Sequence, residues 1–372
     1  MIRLFDITLP DEVQAGLEAT VLETLRTGQF VLGERVARFE SEFAAYTNSA
    51  YAVGVGSGTD ALVLSLRALG VGPGDEVIVP ALSFYASAEA VLLVGAEPVL
   101  VDVDPDTLNL SVTAAEAALT PRTKALLPVH LYGCPAAMPA LAELARKHDL
   151  KVIEDAAQAA GASLNGQLVG SWSDACCYSF YPTKNLGAAG DGGMVTTPHT
   201  AVAEQVRLLR AHGTTRPYYH EAIGYTSRLD ALQAAVLSVK LPHLDGWNAR
   251  RRTLAGYYDA ALADLPVTVP EHQNGVYHLY VVRVPERDRV MAELNERGVG
   301  ARAYYPYALP EMPPLSGKAH GDCTHARAAA RELLALPLYP NLKDVQVEEV
   351  VGTLITALAE PLKRVAVPAA AD

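Results

Sequence analysis

Cysteine is scarce in this chain. Cys134, Cys176, Cys177 and Cys323 are the only four in 372 residues, and the adjacent pair lies in a segment of strand character, where neighbouring side chains face opposite ways. That argues against a disulfide framework and fits reduced, buried thiols. The ten histidines include no His-x-x-x-His pair beside a carboxylate, so no catalytic metal is expected. Positive charge is also in short supply. The formal net charge is −12 and the isoelectric point about 5.3, which disfavours a nucleic-acid binder, and the densest basic cluster, Arg250 to Arg252, fits a solvated helix face better than a phosphate site. No apolar run is long enough to span a bilayer: the stretch from Ala90 to Val103 is broken by Glu97, Pro98 and Asp102. The first residues, Met1 to Ile7, lack the basic start and apolar core of a signal peptide, so a cytoplasmic protein is expected. Internal repeats and low-complexity blocks are missing too.

What is present is enough apolar material for a sizeable core, with half the residues hydrophobic and a length that suits two domains. Helical periodicity runs from Asp11 to Tyr46, interrupted at Thr27 to Gly33 by two glycines. Short β-branched and aliphatic runs follow at Tyr51 to Val55, Glu76 to Val79, Pro98 to Val103, Lys124 to Val129, Lys151 to Asp155 and Ala175 to Tyr181, most of them separated by helical segments. Such alternation predicts an α/β fold with a mostly parallel sheet covered on both faces. Helices are predicted over Arg228 to Lys240 and Asp245 to Leu262. Beyond them the pattern reads as a strand from Tyr277 to Val284, a helix from Asp288 to Glu296, a strand from Gly300 to Tyr304, a proline-rich loop, and helices around Ala326 to Leu334 and Val345 to Ala359. The expected division is a large domain over residues 1–244 and a smaller C-terminal α/β domain over 245–372, with a frayed tail after Arg364.

One lysine is out of place by ordinary rules. Lys184 follows the apolar run Ala175 to Tyr181 and precedes a run holding Gly187, Gly190, Gly192 and Gly193, which let backbone approach a bulky ligand. Desolvation there would lower the pKa of the amine, as a lysine acting as nucleophile toward a carbonyl requires. Two other polar positions end predicted strands. Gly56-Ser-Gly-Thr-Asp60 turns a strand into a helix, so that Ser57, Gly58 and Thr59 serve either as an ordinary cap or as a phosphate cradle. Asp155 closes Lys151 to Asp155. In open sheets of this kind ligands bind beyond the carboxyl ends of the strands, and all three positions fall on that edge. An amine, a carboxylate and a phosphate cradle together are what pyridoxal 5′-phosphate needs: a covalent anchor that also moves protons, a partner for the protonated pyridine nitrogen, and an anion site.

At this point the chain resembles the DegT/StrS sugar aminotransferases among the fold-type-I pyridoxal-phosphate enzymes, and nearly its whole length shares the likeness. The blocks that carry it are Thr27 to Gly33, Gly56 to Leu62, Pro128 to Gly133, Glu154 to Gln158, Ser179 to Gly187 and Ser227 to Asp230, in family order. The resemblance implies that Lys184 binds the cofactor aldehyde and Asp155 pairs with the ring nitrogen. It also implies that Gln158 sits beside the ring hydroxyl, Phe84 stacks on the ring, and Gly58, Thr59 and Ser179 hold the phosphate. It implies a homodimer with shared active sites, in which Thr226 stands where relatives have an asparagine reaching the partner's cofactor phosphate. Ala160 and Pro310 replace histidines common in the family, which bears on substrate contacts. The implied activity is transfer of an amino group, with L-glutamate as donor, to a nucleotide-linked (dTDP) 3-keto-deoxyhexose in amino-sugar biosynthesis. The preference for carbon three rests on Glu154 to Gln158 and Lys184 to Gly193, which resemble the 3-keto branch. A 4-keto-sugar or keto-cyclitol substrate, and a non-catalytic regulator binding the cofactor or a sugar, are the alternatives.

Overall fold

A computed structural model describes residues 1–272 and 274–359; the tail after Arg364 lies outside the described residues. Seven strands form the main sheet: β1 (Tyr51–Val55), β2 (Glu76–Pro80), β3 (Glu97–Val101), β4 (Thr123–Leu126), β5 (Lys151–Asp155), β6 (Ala175–Ser179) and β7 (Gly193–Thr197), in the spatial order β1-β7-β6-β5-β4-β2-β3. All neighbours pair in parallel except β7, which runs antiparallel to both β1 and β6.

Alternation along the strands shows why both faces are covered. In β2, Val77 and Val79 enter one core while Ile78 enters another; in β5, Ile153 and Val152 divide the same way. The first core is closed by the helix Gly58–Ala68, where Ala61, Leu62, Leu64 and Leu66 are all buried, together with Thr200–Leu209. The helix Met138–His148 covers the opposite face with Met138 and Leu141. A third cluster packs the helix Glu34–Tyr46 onto β6, with Phe39, Phe43, Tyr178 and Phe180 meeting at centroid separations between 5.0 and 5.7 Å.

The C-terminal segment has its own core. The helices Leu244–Leu262, Arg287–Glu296 and Asp344–Ala359 pack on an antiparallel pair of strands, β8 (Tyr280–Arg283) and β9 (Leu333–Leu336). Ile2 joins this core through a parallel bridge to Val299, so the first residues associate with the C-terminal elements. Two sequence expectations fail here. Gly300 to Tyr304 is not a strand, since only Arg302 bridges to Ala335. The strand that pairs with β8 is Leu333–Leu336, whose first two residues were expected to end a helix. An apolar run of four buried residues after an alanine-rich helix carries no period of its own, and pairing with β8 decides its state.

Candidate active site

The reversal of β7 brings three turns to one edge of the sheet. Gly193, the first residue of β7, lies in register with Val55 at the end of β1 and with Ser179 at the end of β6, while Asp155 ends β5 beside Cys177. The approach is too close for a side chain: a Cβ on Gly193 would come within 2.2 Å of the Ser57 carbonyl oxygen, and one on Gly58 within 2.6 Å of the Ser179 Cβ. Glycine at 58 and 193 is what lets the turn before the helix and the end of β6 touch.

Ser57 caps the helix, its Oγ accepting from the Asp60 N–H at 3.1 Å. The amides of Gly58 and Thr59 are left without intrahelical acceptors, as at the start of any helix. Ser227 braces the turn from the other side, its Oγ accepting from the Gly56 N–H at 3.0 Å and its hydroxyl donating to Asp60 Oδ2 at 2.8 Å.

A cavity of about 480 Å³ opens above this edge. Ser57, Gly58, Thr59, Phe84, Asp155, Gln158, Ser179 and Lys184 all line it, so eight of the nine positions singled out from sequence are gathered there. Thr226 is not among them. It is exposed, and its hydroxyl is hydrogen-bonded to His212 Nε2 at 2.8 Å.

Asp155 is 6% exposed, and burial raises its pKa; the Ser87 hydroxyl, donating to Oδ2 at 2.7 Å, the Ala157 N–H, donating to Oδ1 at 3.1 Å, and the charge of Lys184 oppose that rise. Burial pulls the Lys184 ammonium down to about 8, against the pull of the Asp155 carboxylate. Behind β5 a second buried pair fixes the strand end. His130 accepts the Ala136 N–H at Nδ1, 3.0 Å, so its proton sits on Nε2 and is donated to Glu154 Oε2 at 2.7 Å; Gly170 N–H reaches the same oxygen at 2.9 Å.

Gln158 is held at both ends, its Oε1 accepting from the Tyr132 N–H at 2.6 Å and its amide donating to Tyr305 Oη at 3.0 Å. Phe84 is 57% exposed and meets the Tyr305 ring at 5.8 Å and 39° across the cavity. Ala160 is buried in the cluster beneath β6 and Pro310 is half-buried; neither lines the cavity.

Sequence reasoning missed Ser87, Tyr305 and His278. Ser87 lies three residues after Phe84, at the start of the helix Ala86–Leu93, and Ser83 bonds it at 2.8 Å; its nearness to Phe84 was the available signal. Tyr305 and His278 come from distant segments and carried no local mark.

The DegT/DnrJ/EryC1/StrS aminotransferase family model matches residues 12–355. The chain belongs to this family. Among its relatives is a pleiotropic regulatory protein of Geobacillus stearothermophilus, 47% identical over 88% of this chain and 91% of its own length. The UDP-N-acetyl-3-dehydro-alpha-D-glucosamine 3-aminotransferase of Acidithiobacillus ferrooxidans is 46% identical over 92% of each chain. The dTDP-3-amino-3,4,6-trideoxy-alpha-D-glucose transaminase of Streptomyces venezuelae is likewise 46% identical over 92% of each. The crystal structure of S. venezuelae DesV superposes with a TM-score of 0.93 at 44% identity, covering 97% of this chain and 99% of that one. The fold is therefore that of the DegT/DnrJ/EryC1/StrS aminotransferases.

The residues of this family member fit pyridoxal 5′-phosphate. The cavity volume suits a small cofactor with a substrate portion, the helix start offers free amides and three hydroxyls to an anion, and a buried carboxylate faces a lysine with a lowered pKa. Among the described residues no group of three or more metal-ligating side chains is found, and no helix is long and apolar enough to cross a membrane.

Proposed function

We propose that this protein is a pyridoxal-phosphate-dependent aminotransferase that converts the keto group at carbon three of a nucleotide-linked deoxyhexose to an amine, with L-glutamate as donor. The observation that carries it is the convergence of Lys184, Asp155 and the Ser57 turn on one cavity. Gly58 and Thr59 amides with the Ser57, Thr59 and Ser179 hydroxyls would hold the phosphate, Phe84 would cover the ring, and Gln158 would lie beside its hydroxyl. Asp155 would pair with the pyridine nitrogen: its burial favours a shared proton, and the Ser87 and Ala157 donors keep the carboxylate aimed. When bound, the cofactor supplies an electron sink for the carbanion formed next to its imine-type nitrogen. Lys184, with half its amine neutral near pH 8, can take a proton from a substrate carbon and return it elsewhere.

The names of the Acidithiobacillus and Streptomyces relatives both specify amination at carbon three, on UDP and dTDP sugars respectively, and they support that carbon while leaving dTDP as our choice of nucleotide. The regulatory name of the Geobacillus relative favours a second reading, ligand binding without turnover; the intact Lys184 and Asp155 weigh against it, because binding alone needs neither a proton carrier nor a ring protonator. Two further parts of the proposal are a division at about residue 245, supported by the separate C-terminal core, and a cytoplasmic homodimer with shared sites. The dimer is supported by the exposed apolar residues Phe30, Val31 and Ile223 and by Tyr181, which is exposed and lines the cavity.

The test offers matched 3-keto and 4-keto nucleotide sugars with glutamate and locates the new amine by NMR. Amination at carbon three is expected. Clean amination at carbon four would overturn the carbon assignment, and no amination of either would favour the regulator.

A further inference from the structure

His278 stands where no role has been assigned. It is 4% exposed, and its Nε2 lies 3.5 Å from Lys184 Nζ, inside the cavity. The backbone that carries the imidazole is fixed at several points. The main-chain N–H of His278 donates to the Tyr132 carbonyl at 2.9 Å, and the carbonyls of Tyr277 and His278 accept from the buried Arg251 guanidinium at 3.1 and 3.5 Å. Two residues upstream, Val276 bonds the Gly133 carbonyl and receives the Asn185 amide at 2.9 Å, which ties the same segment to the residue after Lys184. Phe5 lies over the ring at 6.3 Å with the planes 27° apart. The fixed backbone, the burial of the ring and the Phe5 ring beside it set the imidazole next to the amine.

The tautomer follows from the other nitrogen. Nδ1 is buried with no hydrogen-bond partner. A proton there would be an orphaned donor, which is rarer and costlier in protein interiors than a bare lone pair. The proton therefore sits on Nε2, pointing at Lys184, and the bond that forms is N–H to the lone pair of a neutral amine. An ammonium at Lys184 would need the opposite tautomer and would strand Nδ1–H. Protonating the ring instead would place two cations 3.5 Å apart, and burial together with the charges of Lys184 and Arg251 already holds the imidazolium well below the usual histidine range.

We propose that His278 is a positioning residue for Lys184, a neutral imidazole that holds the amine unprotonated and aimed into the cavity. The inference rests on the cofactor reading above and goes beyond it, since nothing in that reading requires a histidine on the far side of the lysine. Other charged or titratable groups face this pair. Asp155 does so from β5, Arg251 acts through the backbone from Leu244–Leu262, and the phenols of Tyr132 and Tyr305 are pushed up by burial, out of the working range. Of these only Asp155 opposes His278, by favouring the ammonium.

The experiment uses the purified, cofactor-free full chain and follows by absorbance the capture of pyridoxal phosphate by Lys184, one C=N bond formed and one water lost, across pH 6 to 10. Pyridoxamine phosphate, which has no aldehyde, reports cofactor affinity without capture. His278→Leu is expected to slow capture about tenfold and move the pH midpoint up by about half to one unit, the worth of one lost hydrogen bond. Its pyridoxamine phosphate affinity should stay within about twofold. His278→Gln, whose amide can donate from a similar position, should recover most of the rate and the midpoint.

An unmoved midpoint and rate in both variants, with intact circular dichroism, would overturn the proposal. So would a fall in pyridoxamine phosphate affinity as large as the fall in capture, because His278 would then pack the cofactor and not the lysine. If Leu fails to fold, Gln decides: a wild-type midpoint supports the donor role, and a shifted one refutes it. Wild-type protein that captures no pyridoxal phosphate would instead sink the cofactor reading itself.

Discussion

On the floor of the cavity Asp155 and Gln158 are buried and hydrogen-bonded within the chain, Asp155 by Ser87 and Ala157, Gln158 by Tyr132 and Tyr305, and behind β5 one Glu154 oxygen takes His130 and Gly170. The segment from Thr214 to Arg228 is built differently. Tyr218 is 99% exposed, Ile223 and Thr226 are exposed, and the segment is tied at its end by Tyr225 to Leu209 and His212 and by Ser227 to the Ser57 turn. Rigid, desolvated groups suit chemistry, where a fixed dipole or a shifted pKa does the work. An outward-facing segment braced only at its base suits contact with a second surface. Of the three departures from the family pattern, Thr226 lies on the outward segment and Ala160 and Pro310 lie outside the cavity lining, while Lys184 and Asp155 are intact.

The comparison breaks most sharply at the lysine. Lys184→Ala should abolish both turnover and the yellow colour of the holoenzyme; retained transamination would show that the floor does not carry the chemistry. Asp155→Asn should fold normally and lose about a hundredfold in kcat, the usual weight of one acid–base group; a near wild-type rate would mean that another group protonates the ring.

Sharing of sites is checked by mixing Lys184→Ala protein with a Thr226→Ala/Arg228→Ala variant. After exchange, half the dimers are mixed and each has one intact site, so activity should return to about a quarter of wild type. No return under demonstrated exchange would make the outward segment a surface loop.

The smallest effect is on stability. Lys184 has a folded pKa of about 8 against an ordinary 10.5, so the unfolded chain holds the proton more tightly and the buried ammonium destabilises the cofactor-free protein below pH 8. That penalty is relieved as pH rises from 8 to about 10.5. Lys184→Met should therefore be more stable than wild type by about 1–3 kcal/mol at pH 7, with the difference vanishing near pH 10.5 in denaturant titrations.

Much of the floor was readable because it is local. Lys184 carries its apolar approach and its glycines within about ten residues, and Ser57 and Asp155 are marked by the ends of recognisable strands. What could not be read is what the fold brings from far away. His278 lies 94 residues beyond Lys184, and Tyr305 147 beyond Gln158. Nothing near Tyr277 to Val284 distinguishes a histidine beside an amine from one packed in a core. The strand β9 was missed for a related reason, since Leu333 to Leu336 owes its extended form to a partner some fifty residues earlier.

The antiparallel course of β7 has a further consequence for what this chain can tolerate. The loop bearing Lys184 leaves from the end of β6 and returns at the start of β7, so both its feet stand on paired strands at one edge. Between them it closes on itself: Ala188 N–H bonds the Phe180 carbonyl, Phe180 N–H bonds the Gly192 carbonyl, and Lys240 Nζ donates to the Gly187 carbonyl at 2.7 Å. A Cβ on Gly187 would come within 2.3 Å of the Pro182 carbonyl oxygen. The loop has one workable length. Surface loops elsewhere can lengthen at small entropic cost, but a single residue inserted between Asn185 and Asp191 would have to break these bonds or slide β7 by one place, turning every side chain of that strand to the opposite face.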